Sequence, residues 1–162
     1  MSQRLVSRSD LSEAAELKQA AIRLLAIREH SRMELRRKLQ SRCEVPALLE
    51  SVLDELELRG YLSDARFAEQ YVNSRKQKGF GPVRIRQELQ ERGVDSSLID
   101  LSTDPGESEW PTLMRQCCRR KFGDSMPGDF RERVRRARFL EYRGFPSELI
   151  RCFLWSDETG EF

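Results

Sequence analysis

RCEVPALLE (residues 42–50), RGVDSSLID (92–100) and RGFPSELIR (143–151) are three versions of one short string. Each opens on arginine and places Leu-Leu or Leu-Ile six and seven positions later, at Leu48 and Leu49, Leu98 and Ile99, and Leu149 and Ile150. The copies begin 50 and 51 residues apart. A period of that size marks stacked helical units, and such arrays bind large, elongated partners. The repetition reaches further back, because Ala21, Leu25 and Arg28 match Ala68, Val72 and Arg75, 47 residues on. The longer KGFG turn at residues 78–81 absorbs the slip from 47 to 50.

Helix punctuation fills the space between the copies. Asp10 with Glu13, and Ser31 with Glu34, have capping-box spacing, in which a side-chain oxygen accepts from amides of the first turn and the acid reaches back. Pro46, Pro82 and Pro146 suit first turns, where no N–H is lost. Gly60, Gly79, Gly93, Gly123 and Gly144 suit helix ends. Apolar residues between these marks keep the helical period: Leu11, Ala14, Leu17, Ala21 and Leu24, then Leu35 and Leu39, then Leu49, Val52, Leu53 and Leu56. The second unit follows with Phe67, Ala68, Tyr71 and Val72, then Ile85 and Leu89, then Leu98 and Ile99. The third has Leu113, Met114 and Cys117, then Phe130, Val134, Ala137 and Leu140, then Leu149, Ile150, Phe153 and Leu154, with Pro111, Met126 and Pro127 interrupting its start. The fold class is therefore all-α, in three tandem three-helix repeats. Residues 1–9 form a loose start, the repeats occupy 10–60, 61–104 and 105–155, and 156–162 is an acidic tail.

Units of about 50 residues are too small to bury a generous core alone, so they lean on one another. No apolar run approaches the ~20 residues that span a bilayer, and the polar start MSQRLVSRSD lacks the apolar core of a signal peptide. The expectation is a cytoplasmic chain with no membrane partner. Cys43, Cys117, Cys118 and Cys152 contain no CxxC pair, and the sole histidine is His30, so neither a metal site nor a disulfide is expected.

The net charge of +2 conceals an uneven distribution. Residues 1–74 hold 12 basic and 12 acidic groups, whereas 75–92 carry +4 and 115–143 carry +6. Basic helices of this kind suit phosphates or acidic protein surfaces, and the guanidinium's two-pronged geometry favours recognition over mere solvation. The candidate contacts are Arg75, Lys76, Lys78, Arg84 and Arg86 in the second unit and Arg115, Arg119, Arg120, Arg133, Arg135, Arg136 and Arg143 in the third. Phe80 and Tyr142 lie beside them and are read as turn or core packing rather than base-stacking platforms.

Catalysis finds no support in the residues. His30, next to Ser31, suits a solvated or capping role better than a general base. Gly79 and Gly81 lack the third glycine and preceding strand of a nucleotide loop, so GFGP is a turn between helices. No catalytic residue, cofactor or metal ligand is assigned, and the chain is read as a non-enzyme.

HSRMELRRKL (30–39), GYLSDARFAEQYVNSRKQKGFGPVRIRQELQERGV (60–94) and FLEYRGF (139–145) closely resemble the RecX family of bacterial regulators of the RecA recombinase. The resemblance spans about residues 15–155. One departure is Ser63, where many members are expected to hold an acid; its own hydroxyl or Asp64 still caps the helix. The resemblance implies an elongated, curved array of three three-helix units lying in the groove of a RecA filament on single-stranded DNA. It further implies a monomer that blocks filament growth or promotes disassembly, and so depresses strand exchange, ATP hydrolysis and SOS co-protease activity. Single- or double-stranded DNA is a further expected partner. The alternative is a sequence-independent helical DNA-binding protein acting without RecA.

Overall fold

Local chemistry sets the helix ends. Ser31, in extended geometry, accepts from the Glu34 amide at 3.1 Å and opens a helix, and Asp129 does the same for the Glu132 amide at 2.8 Å. Pro46 and Pro82 each occupy a first helical position. All five helix-end glycines named above have positive φ. The computed structural model describes residues 8–104 and 109–156, and among these it holds nine α-helices and no strand. They are α1 (Arg8–Ile27), α2 (Arg32–Leu39), α3 (Pro46–Leu58), α4 (Asp64–Gln77), α5 (Pro82–Glu91), α6 (Ser96–Ser102), α7 (Glu109–Phe122), α8 (Phe130–Arg143) and α9 (Ser147–Trp155), with a 3-10 turn at Gln40–Arg42. Three helices fall to each repeat.

Several local expectations change. Asp10 is not a cap: α1 already includes Arg8, so Asp10 lies in its first turn, and Glu13 instead accepts from the Glu44 amide at 3.3 Å. Leu11, expected on the buried stripe, is 61% exposed, and Phe130 is 71% exposed. The second half of the Ser31 capping box is missing, because Glu34 turns to Arg28 (3.0 Å) and Arg92 (3.4 Å). Ser63 does accept from the Arg66 amide, at 3.3 Å, which leaves the Asp64 carboxylate to accept from the Arg32 amide at 2.7 Å. Residues 1–7 and the tail beyond Ser156 lie outside the described residues.

The chain forms two compact units whose boundaries fall inside the repeats: Met1–Gln70 with Glu91–Leu98, and Tyr71–Gln90 with Ile99–Phe162. The first unit buries Leu17, Ala21, Leu35, Leu39, Leu49, Val52, Leu53, Leu56 and Leu62 in one cluster. Each leucine there contributes about 1.5–3 kcal/mol relative to exposure. The second unit buries Trp110, Met114, Cys117, Cys118, Leu140, Phe145, Ile150 and Leu154. Trp110 also donates from Nε1 to the Asp104 carbonyl at 2.9 Å, which anchors the start of α7 despite Pro111. Burial pushes the Cys117 and Cys118 thiols up, and all four cysteines are unbridged.

A recurring joint explains the unit boundaries. In the first unit the start of α2 meets the Arg92–Gly93 turn, where the Ser31 hydroxyl donates to the Arg92 carbonyl at 2.7 Å. A methyl added at Gly93 would sit 2.5 Å from Met33. In the second unit the start of α5 meets the corresponding Arg143–Gly144 turn: Gly81 and Val83 donate their amides to the Arg143 and Gly144 carbonyls at 2.8 and 2.9 Å. Each joint thus couples the start of one repeat's second helix to the arginine–glycine turn of the next repeat. The first copy of that string reads Arg42–Cys43, and Cys43 is extended (φ −132°) with its thiol donating to the Val45 carbonyl at 3.0 Å.

His30 departs from the solvated or capping role expected of it, being 2% exposed with Nδ1 3.0 Å from the Arg28 carbonyl. Burial lowers its pKa below 6.5, partly offset by that hydrogen bond. The unfolded chain therefore takes up the proton first as acid is added, so the first unit loses stability as the pH falls below 6.5. A urea midpoint lower at about pH 5.5 than at about pH 7.5 is the expected result, with the lone imidazole resonance titrating below the free-histidine value. An imidazole that titrates at or above that value overturns this reading.

Candidate interaction surface

The second unit gathers its cations around aromatic rings. The KGFG turn places Phe80 beneath three guanidiniums, with Arg75, Arg84 and Arg143 carbons at 4.4, 4.6 and 4.9 Å from its centroid. Such contacts are worth about 0.5–2 kcal/mol each, depending on desolvation. Arg143 also donates to the Lys78 carbonyl at 3.0 Å and covers Phe139, while Arg84 lies 5.2 Å from the ring of Tyr142, which remains 73% exposed. Phe80 is thus partly buried turn packing, whereas Tyr142, read above as packing, is exposed.

Glu88 anchors this cluster. Arg75 grips its carboxylate with both Nε (2.6 Å) and Nη2, Tyr71 donates at 2.8 Å, and Arg84 at 3.1 Å from one turn earlier on α5. Burial alone would raise the carboxyl's pKa, but the hydrogen bonds from Arg75, Tyr71 and Arg84 outweigh it and bring it down to about 2.

Most of the other candidates are also internally engaged. Lys76 pairs with Glu109 at 3.0 Å and lies 4.6 Å over Trp110. Arg86 holds Asp100 and donates to Thr103 at 3.0 Å. Arg136, 3% exposed, is fixed by Glu132 at 2.6 Å and the Ser125 carbonyl at 2.7 Å, so its charge belongs to the interior. Arg133 is half-buried. Arg119 pairs with Asp124 at 2.6 Å, but both are exposed, and such a pair is worth at most about 1 kcal/mol.

Lys78, Arg115, Arg120 and Arg135 are exposed with no ion-pair partner among the described residues. To these the structure adds Lys121, Arg131 and Arg138, which the sequence reading did not single out. Arg131, Arg135 and Arg138 lie at i, i+4 and i+7, and with Phe130 and Val134 they line a groove of 330 Å³. Arg136, Ala137 and Leu140 occupy the opposite, buried side of α8. The phase set by Ala137 and Leu140 was the signal that separated them. No group of three or more His, Cys, Asp or Glu side chains is placed to hold a metal among the described residues.

The three-helix plan matches known domains: the first RecX three-helix domain fits residues 18–56, the second 63–101 and the third 109–154. This chain belongs to the RecX family. Among RecX proteins, it is 42% identical over 140 residues to the regulatory protein RecX of Pseudomonas fluorescens, covering 86% of this chain and 90% of that one. The RecX of Halorhodospira halophila (strain DSM 244 / SL1) is 44% identical over 145 residues, covering 89% and 90%. The fold is shared with the crystal structure of RecX from Lactobacillus salivarius (TM-score 0.72, 21% identity, 91% of this chain and 98% of that one). A second RecX crystal structure gives a TM-score of 0.75 at 19% identity, covering 97% and 81%. No described helix is long and apolar enough to cross a membrane.

Proposed function

We propose that this RecX-family chain is a non-enzymatic regulator that binds the RecA nucleoprotein filament. It inhibits recombinase, ATPase and co-protease activity by blocking filament extension or promoting disassembly. The observation that supports this reading most is the exposed basic face of α8, where Arg131, Arg135 and Arg138 have no ion-pair partner among the described residues. A row of guanidiniums without carboxylate partners, although Arg135 also lies 5.1 Å over the Phe122 ring, suits the acidic surface of a polymer or its bound phosphates. Its relatives' name, regulatory protein RecX, supports the regulatory role. The reading places the chain in the cytoplasm, as a monomer, with DNA as a secondary contact.

The test is RecA ATP hydrolysis on single-stranded DNA with Arg131, Arg135 and Arg138 changed to Glu. Inhibitory potency is expected to drop by about tenfold or more, since three contacts of up to about 1 kcal/mol each exceed the 1.4 kcal/mol that a decade requires. Helix content stays unchanged, because all three side chains are exposed. Full potency in this variant removes α8 from the interface. If RecA turnover is unaffected by wild-type protein while DNA is held with a steep salt dependence, the DNA-binding alternative replaces the filament reading.

A further inference from the structure

Residues 1–74 carry no net charge, yet their charges are segregated. Arg32 takes Glu50, Asp54 and Glu57, Arg36 takes Glu50, and Lys18 takes Glu55, so the acids of α3 are consumed on one side of the unit. On another side, α1, α2 and the 3-10 turn enclose a groove of 390 Å³. Leu24, Ile27 and Leu39 line it, and Arg23, Lys38 and Arg42 stand around it. None of these three cations has an ion-pair partner among the described residues, and Ile27 is 81% exposed.

Helix-end electrostatics accounts for Lys38, which lies in the last turn of α2 where the carbonyl ends favour a cation. It does not account for Arg23, well inside α1, or for an isoleucine left in water beside an apolar channel. We propose that this groove is a docking site for an acidic amphipathic helix of a partner protein. Its apolar side would cover Ile27 and the uncovered part of Leu24, over a floor closed by the buried Leu39, and its carboxylates would meet Arg23, Lys38 and Arg42. A groove between two helices receives a third helix through apolar residues at i, i+3 or i+4, and i+7. The aliphatic lining argues for a protein over a nucleic acid, since it offers no aromatic ring on which a base could stack. The site shares no residue with the α8 surface and stands whether or not the recombinase reading holds.

The test uses full-length protein and a fluorescein-labelled peptide with leucine at i, i+3 and i+7 and glutamate elsewhere. Saturable binding is expected, with amide chemical-shift changes centred on Leu24, Ile27 and Leu39. The double variant Arg23→Glu/Arg42→Glu and the single variant Ile27→Glu each weaken it by about tenfold or more. These side chains are exposed, so helix content measured by circular dichroism remains that of the parent. Undiminished binding in both variants overturns the proposal. Equal affinity for an all-glutamate peptide also overturns it, because the apolar lining would then contribute nothing. A single-stranded oligonucleotide that shifts the same three residues more strongly identifies a phosphate ligand instead, and likewise overturns it.

Discussion

Gly81→Ala destabilises the second unit by about 3 kcal/mol, from about 1–3 kcal/mol of overpacking and two weakened backbone hydrogen bonds at about 0.5–1.5 kcal/mol each. The added methyl would sit 2.4 Å from the Gly144 carbonyl oxygen and 2.6 Å from the Phe145 nitrogen, both backbone atoms that no side-chain rotation can clear. The turn must retreat, and with it go the Gly81 and Val83 amide contacts to Arg143 and Gly144. Against a total stability of about 5–15 kcal/mol this is a large fraction. Gly123→Ala is the matched control: its φ of +81° strains a side chain, but no atom lies within 4 Å of the added carbon. That strain alone is about 1–2 kcal/mol. Urea unfolding of both variants decides the matter: Gly81 has no positive φ to strain, so a Gly81→Ala midpoint no lower than the parent's would show that the close approach carries no energy.

Glu88→Ala produces the second large effect, a loss of about 2–4 kcal/mol, because removing one member of a buried pair strands the other's charge. Arg75 and Arg84, with side chains 20% and 31% exposed, would keep stacking on Phe80 without a counter-charge, and partial hydration holds the loss toward the lower end. The same carboxylate sets an acid limit. Its folded pKa of about 2 lies below the ordinary 4.5, so its contribution is complete above pH 4.5 and is lost as the pH falls toward 2. That contribution is on the order of 3 kcal/mol. In Glu88→Gln the acid-induced slope of stability between those pH values flattens. A variant that loses stability with acid as steeply as the parent would remove Glu88 from this role.

Helix ends were legible because caps and left-handed glycines act within three or four residues. Ser31, Pro46, Pro82 and the five glycines all stand where local chemistry put them. Asp10 failed because a capping pattern cannot announce that a helix has already begun. The Asp129–Glu132 cap had the right spacing and was overlooked among the surrounding arginines. Phe130 misled for another reason: an aromatic at helical spacing is normally counted as core, yet it lies on the exposed side of α8. Which cations remain available for a partner was harder still, since their neutralisation depends on residues distant along the chain. Arg75 meets Glu88 thirteen positions on, Lys76 meets Glu109, and Arg143 reaches back to Lys78. Sequence charge totals count all of these as accessible, although the fold has already used them.

The arginine–glycine joints bear on how such a protein can be lengthened or shortened. A fragment cut at the sequence period, ending near residue 60, would carry the start of α2 without Arg92 and Gly93, which complete it. The smallest portion able to stand by itself is therefore longer than one three-helix repeat. Any gene duplication that extends the series must supply the incoming copy with a glycine after its arginine.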